Sequence, residues 1–535
     1  MQIINSLTDH HALIVLGDSS TSLLQCVGGL PPSLHSLAVE AQHTCIQAGK
    51  CIALKAVDDT SHLPAWRPEV LRAVATFSHL QKVSLHSAWC APDGIPDDDE
   101  TDMMMQDSVT AMLTALGSSL QHLDFHGGMH TAAAVGLSQS FSGLTELSSI
   151  RISTGGRPRR LCPTQQMEED PSVSPALFCS VVEGMAQLPS LRSLQLDGYA
   201  FLRLRDDLDN INLNDQQLGF IAQFCTGIAQ LTGLTCLSLK KLVVPKYHTY
   251  IDGQVQPALA SVKVTHCFQE ALKPLTLLET LHLDITLRDI APVMESVACM
   301  TALTRLVLHA TCQHFFAFEE MCWREPVLSK LRELRELDME GYCLVGDHAT
   351  AVASLPYLSK LRLVVGNIRG EFALSDDFWP VLGRDLSRMS SLQSLNVVGA
   401  GMDAFVHGAA GSLVENGTRV AGVLPELRSL AFEVCHIYSS DCAKHVAACL
   451  MSLTALTSLH LEIRPATGNA EAGMPDAAKK IAGAIRGMPC LRKLYIHALA
   501  LGPEGNRAFI DSVVGRFGRD WEMQGDVELK LYGGV

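Results

Sequence analysis

One apolar pattern recurs along the chain: four aliphatic or aromatic residues at relative positions 1, 4, 7 and 9. Its clearest copy is LRELRELDM over 331–339, with Leu331, Leu334, Leu337 and Met339 on the grid. Two steps of three suit a helix end and the turn after it, and the last step of two suits a short strand with one buried face. Copies with all four positions apolar begin at Phe77, Leu144, Leu188, Leu231, Leu275, Met300, Leu331, Leu355, Met389, Leu424, Leu453 and Met488. A weaker copy at Leu120, Leu123 and Phe125 has Gly117 at its leading position. Leu34, Leu37 and Val39 form a degenerate first copy. With 47% apolar residues, one four-position match has a chance of about 5%, so a dozen aligned matches are not accidental.

Successive copies lie 24 to 46 residues apart. The shorter intervals fit one strand plus one return segment, and the longer ones carry insertions or extra helical turns. Amphipathic helices are predicted between copies, over 175–187, 215–230, 376–388, 439–451, 476–486 and 503–516. Several open on Asp or Ser, which cap exposed backbone N–H groups. Residues 1–33 read as an N-terminal cap or an irregular segment, and 34–531 as one repeat domain. Insertion loops are expected near 91–102, 155–174 and 244–256, on the rim where repeat proteins place them. Val527, Leu529 and Leu531 alternate at period two, as a closing edge strand would.

The three apolar residues inside each strand region point inward, so those between them point out. One outward column reads Ser84, Asp124, Arg151, Gln195, Ser238, His282, Val307, Asp338, Arg362, Asn396, Ala431, His460, Tyr495. The column just after the pattern reads His86, His126, Ser153, Asp197, Lys240, Asp284, His309, Glu340, Val364, Val398, Glu433, Glu462, His497. Fourteen strands about 4.8 Å apart would make a wall roughly 65 Å long. A repeating nucleobase code would repeat the same residue types down a column; these columns are heterogeneous, which favours one protein surface. The expected partner-contacting positions are Asp124, Arg151, Gln195, Asp197, Lys240, His282, Asp284, His309, Asp338, Glu340, Arg362, Asn396, His460 and Tyr495. The rim loops are the competing contact surface.

The pattern with helical returns resembles the leucine-rich repeat superfamily, nearest to the ribonuclease-inhibitor-like class. That resemblance implies an α/β solenoid (horseshoe), with parallel strands on the concave face and helices on the convex face. It also implies a scaffold for protein–protein recognition. Members of the superfamily include enzyme inhibitors, GTPase activators and ubiquitin-ligase substrate receptors, so these two last roles stand as alternatives. For GTPase activation Arg151 and Arg362 are the outward arginines. The Asn or Cys that the family places three residues after the pattern is kept only as Cys435, which implies irregular turns.

Charge narrows the partner class. The formal net charge of −15 disfavours broad binding to nucleic acid or an anionic membrane. No window approaches the ~20 apolar residues of a membrane span, and Ala12 to Leu16 is too short for a signal-peptide core. Seventeen cysteines, an odd number without a C-x-x-C, suit reduced thiols in a cytoplasmic protein. The expectation is a non-enzymatic, monomeric, cytoplasmic adaptor with no cofactor and no metal.

Three motifs compete with that expectation. Gly399, Gly401 and Ala404 mimic a dinucleotide fingerprint, but their strand belongs to a repeat. Cys435, His436, Cys442, His445 and Cys449 form the best ligand-like cluster, though without paired close cysteines. Asp97, Asp98, Asp99, Glu100 and Asp102 lack the spacing of a calcium loop.

Overall fold

Each copy of the apolar pattern folds into the same short device. In the 331–339 copy, a 3-10 turn at Leu328–Lys330 leads in, and the Leu334 amide donates to the Leu331 carbonyl at 3.0 Å. Leu337 and Met339 then fill the inward positions of a strand, each 1% exposed. The same closure joins Leu147 to Leu144 at 3.2 Å, Leu234 to Leu231 at 3.1 Å and Leu303 to Met300 at 3.0 Å. The steps of three are thus a turn, and the step of two is a strand.

The computed structural model describes residues 12–16, 36–40, 75, 81–86, 99–126, 131–153, 175–197, 215–242, 248–251, 254–257, 259–285, 290–309, 327–340, 346–364, 378–386, 389–398, 424–437, 440–465, 474–499, 502–518 and 527–532. The chain divides into two units, Met1–Arg288 and Asp289–Val535.

In the first unit the row of parallel strands is β1 (Ala12–Leu16), β2 (Ser36–Glu40), β3 (Lys82–His86), β4 (His122–His126), β5 (Ser149–Ser153), β6 (Ser193–Asp197) and β7 (Cys236–Leu242). It ends on β10 (Thr280–Ile285), after a separate antiparallel hairpin of β8 (His248–Ile251) and β9 (Gln254–Pro257). Helices α1 (Asp99–Leu116), α2 (Thr131–Ser140), α3 (Pro175–Met185), α4 (Asp215–Gln230) and α5 (Leu259–Leu272) make the returns.

In the second unit, β11 (Arg305–His309), β12 (Glu336–Glu340), β13 (Lys360–Val364), β14 (Ser394–Val398), β15 (Ser429–Ile437), β16 (Ser458–Pro465), β17 (Lys493–Leu499) and β18 (Val527–Tyr532) pair in parallel, each with its sequence neighbour. Their returns include α6 (Ala291–Val297), α7 (Gly346–Ala353), α8 (Phe378–Leu386), α9 (Ser440–Ser452), α10 (Met474–Gly487) and α11 (Gly502–Phe517).

Register is fixed by a ladder at pattern position 5. The Thr304 carbonyl accepts the Arg335 N–H at 2.8 Å and the Glu336 N–H at 3.0 Å; the Arg335 carbonyl then accepts from Ser359 at 2.8 Å and Lys360 at 2.9 Å. Ser359, Gln393, Arg428 and Thr457 repeat the arrangement. A one-residue slip would break this ladder and turn every strand leucine outward. Helix faces complete the core. On α4, Ile221, Phe224, Cys225 and Ile228 are buried at helical spacing, and Phe224 stacks on Phe178 of α3 with ring centroids 5.9 Å apart.

Three placements differ from the sequence reading. A strand, β1, stands inside the segment read as a cap or an irregular stretch, and departs from the second of these. Helix α1 takes in 99–102, the end of the loop expected at 91–102. The expected loop at 244–256 holds the β8–β9 hairpin. The loop expected at 155–174 and the glycine motif at 399–404 lie outside the described residues.

Candidate functional site: the strand wall

Because the inward positions alternate with outward ones, pattern positions 6, 8 and 10 form three rows across each unit's strands. In the first unit the middle row runs in register through Asp124, Arg151, Gln195, Ser238 and His282. Lys82 Nζ lies 3.6 Å from Asp124 Oδ2, and Ser238, though outward, is only 6% exposed. Asp197 and Lys240 pair in the next row. Asp284 sits at a register shift between β10 and β7, so its row is irregular there.

The second unit gathers more of the expected residues. Asp338 on β12 faces Arg362 on β13, and Arg362 faces Asn396 on β14. Arg362 Nη1 donates to Asp338 Oδ1 at 2.8 Å and to Glu340 Oε2 at 3.1 Å. From the other side His309 Nε2 lies 3.2 Å from Asp338 Oδ1. Burial pulls the Asp338 carboxyl upward, but hydrogen bonds and charge from His309 and Arg362 outweigh it and hold the group below its ordinary value. Burial also works against the Arg362 charge, and the bonds to Asp338 and Glu340 reverse that, leaving its pKa raised. The cluster is a fixed, charge-matched set on three neighbouring strands.

A second ionic bracket lies one row away. Arg305 Nε is 3.3 Å from Glu336 Oε2, and Lys360 Nζ bonds the other oxygen of Glu336. At the far side of the wall, His460 and Tyr495 meet edge-on with ring centroids 4.0 Å apart. Beside them His497 Nδ1 is 3.7 Å from Glu462 Oε1. Between these polar groups stand Val364 and Val398, paired in register and half-buried on the outward face. Asn396 next to them has its Oδ1 screened from solvent, with no hydrogen-bond partner among the described residues.

The structure therefore brings together His309, Asp338, Glu340, Arg362 and Asn396, and separately His460 with Tyr495. It leaves Asp124, Arg151, Gln195, Asp197, Lys240, His282 and Asp284 on the first unit. Missed from the sequence were Arg305, Glu336 and Lys360 at position 6; Val364 and Val398 stood in the outward column but not among the expected contacts. Period two already put position 6 on the outward face, so the signal was present.

Among the described residues no group of three or more His, Cys, Asp or Glu converges as a metal site. In the cluster on β15 and α9, Cys449 is buried while His445, one turn earlier on the helix, is exposed. No helix of the described residues is long and apolar enough to cross a membrane.

Together these observations define the class: an α/β repeat protein whose leucine-lined parallel strands alternate with helical returns. No family model matches the chain, and no curated protein does. Among solved structures 123 chains match. One is an internalin from Listeria monocytogenes, 16% identical, covering 59% of this chain and 77% of its own, with a TM-score of 0.28.

Proposed function

We propose that the protein is a non-enzymatic scaffold that holds a protein partner against the strand wall of its second unit. The supporting observation is the cluster of His309, Asp338, Arg362 and Glu340. Four polar side chains on adjacent strands are held by one another, so a partner that meets them need not immobilise them first, and that lowers the entropic cost of binding. The wall is also one-off in its chemistry, as a surface fitted to one protein would be. Arg362, one of two arginines considered for GTPase activation, is committed to two carboxylates of its own wall, which suits a wall residue better than a mobile finger. We place the protein in the cytoplasm, on the strength of its scattered, odd-numbered cysteines, several of them buried.

The test is affinity capture with tagged full-length protein, comparing wild type with the triple variant Asp338→Lys, Glu340→Lys, Arg362→Glu. Lys479→Glu, on the helix side, serves as control. The wall triple variant should lose a partner that the helix-side variant keeps. A partner set unchanged in the triple variant contradicts the proposal.

A further inference from the structure

The second unit's wall is polarised across its strands. Row 6 carries Arg305, Lys360 and Lys493 against the single carboxylate of Glu336. Row 10 carries Glu340, Glu433 and Glu462 with His309 and His497, and Lys530 closes it on β18. Between the ionic cluster and the aromatic pair lie Val364 and Val398, followed in the middle row by the small Ala431, with Ser394, Ser429 and Ser458 along row 6. That stretch is part-apolar, with Glu433 following Val398 in row 10.

The backbone amides and carbonyls of β13 to β17 are spent on their neighbouring strands, so no extended peptide can add to them. An occupant must satisfy its own backbone, which a helix does. From the midpoint of β13 and β14 to that of β16 and β17 is three strand spacings, about 14 Å. At 1.5 Å per residue this is about ten residues, or three helical turns.

Resting on the scaffold reading above, we infer that the partner docks as an amphipathic helix. Its apolar side chains cover Val364 and Val398, and a Lys or Arg about eleven positions along reaches Glu462 beside Tyr495. Three turns return to the same helix face, so one helix satisfies both contacts. The aromatic ring and the carboxylate together suit a cation: the ring face attracts it and the carboxylate pairs with it.

The test is selection from a displayed library of 16-residue helical peptides on immobilised full-length protein, followed by affinity measurements with purified peptides. Wild type should select peptides with an apolar pair and a cation eleven positions on. Val398→Asp and Glu462→Lys, each confirmed folded by circular dichroism, should weaken binding at least tenfold. Changing the peptide's cation to Glu should restore binding to Glu462→Lys. Peptides lost with Val398→Asp but lacking the cation, or indifferent to Glu462→Lys, overturn the helix-and-cation inference and leave the wall as a docking surface. Peptides indifferent to both variants, or no selected peptide, overturn the inference, while the capture experiment with the Asp338, Glu340 and Arg362 triple variant separately decides the scaffold reading.

Discussion

Asp338 shows how one carboxylate on a solvent-facing wall acquires a structural role. It accepts from Arg362 and approaches His309, and its folded-state pKa is below the unfolded one. The stabilisation it supplies is therefore full above the ordinary carboxylate range, and is lost as pH falls through the folded value. Asp338→Asn should cost about 1–3 kcal/mol at neutral pH and should flatten the acid limb; urea unfolding from pH 7 down to pH 2 measures both. A variant with an unchanged acid limb would detach Asp338 from acid stability. The thiols divide just as clearly. Burial, with Glu183 nearby, pushes Cys179 up to about 11, and burial pushes Cys449 up to about 12. Cys225 is raised by burial and by the neighbouring thiols of Cys267 and Cys179. Alkylation of the native protein at neutral pH, read by peptide mass spectrometry, should modify the exposed Cys299 and Cys490 and spare Cys179, Cys225 and Cys449. Equal labelling of all five would contradict that assignment of buried sites.

At the scale of elements, the repeat is a trade between turn geometry and close packing. A Cβ on Gly184 of α3 would stand 2.6 Å from the Phe141 ring, whereas one on Gly483 of α10 meets nothing within 4 Å. Gly184→Ala should destabilise by about 1–3 kcal/mol, because the ring must shift in a filled core. Gly483→Ala should stabilise by up to ~1 kcal/mol through helix propensity. Leu337→Ala, at a position 1% exposed, should cost 2–5 kcal/mol, roughly the usual cavity penalty. Denaturant midpoints of the three variants decide all of these together. Much of this level was legible in the sequence. The step of two in each pattern placed the strands, and Asp215 to Gln230 was read as a helix with the bounds it has. The strand Ala12–Leu16 was not, because a continuous apolar run without the leading positions 1 and 4 does not distinguish strand from helix. The hairpin was missed although Asp252-Gly253 between its strands is a two-residue turn signal. On the wall, repeat order showed that Asp338 and Arg362 would be neighbours. That Arg362 would divide itself between Asp338 and Glu340 depends on side-chain rotamers, which spacing does not carry.

For the whole molecule, repetition explains how 535 residues are stabilised without one enlarging core. Each unit buries its leucines locally, and position-5 carbonyls lock successive strands to one another over β3 to β10 and over β11 to β17. The outward face is then free of structural duty except where its residues hold one another. The central claim is that this face of the second unit is where a partner sits. Its most direct test is a photo-crosslinking residue placed at Asn396 on the wall, compared with one at Lys479 on the helix side, in cells that express the full chain. Cross-links to a single protein from position 396 and none from 479 are the predicted result. Cross-links to that protein from 479 alone would contradict the account.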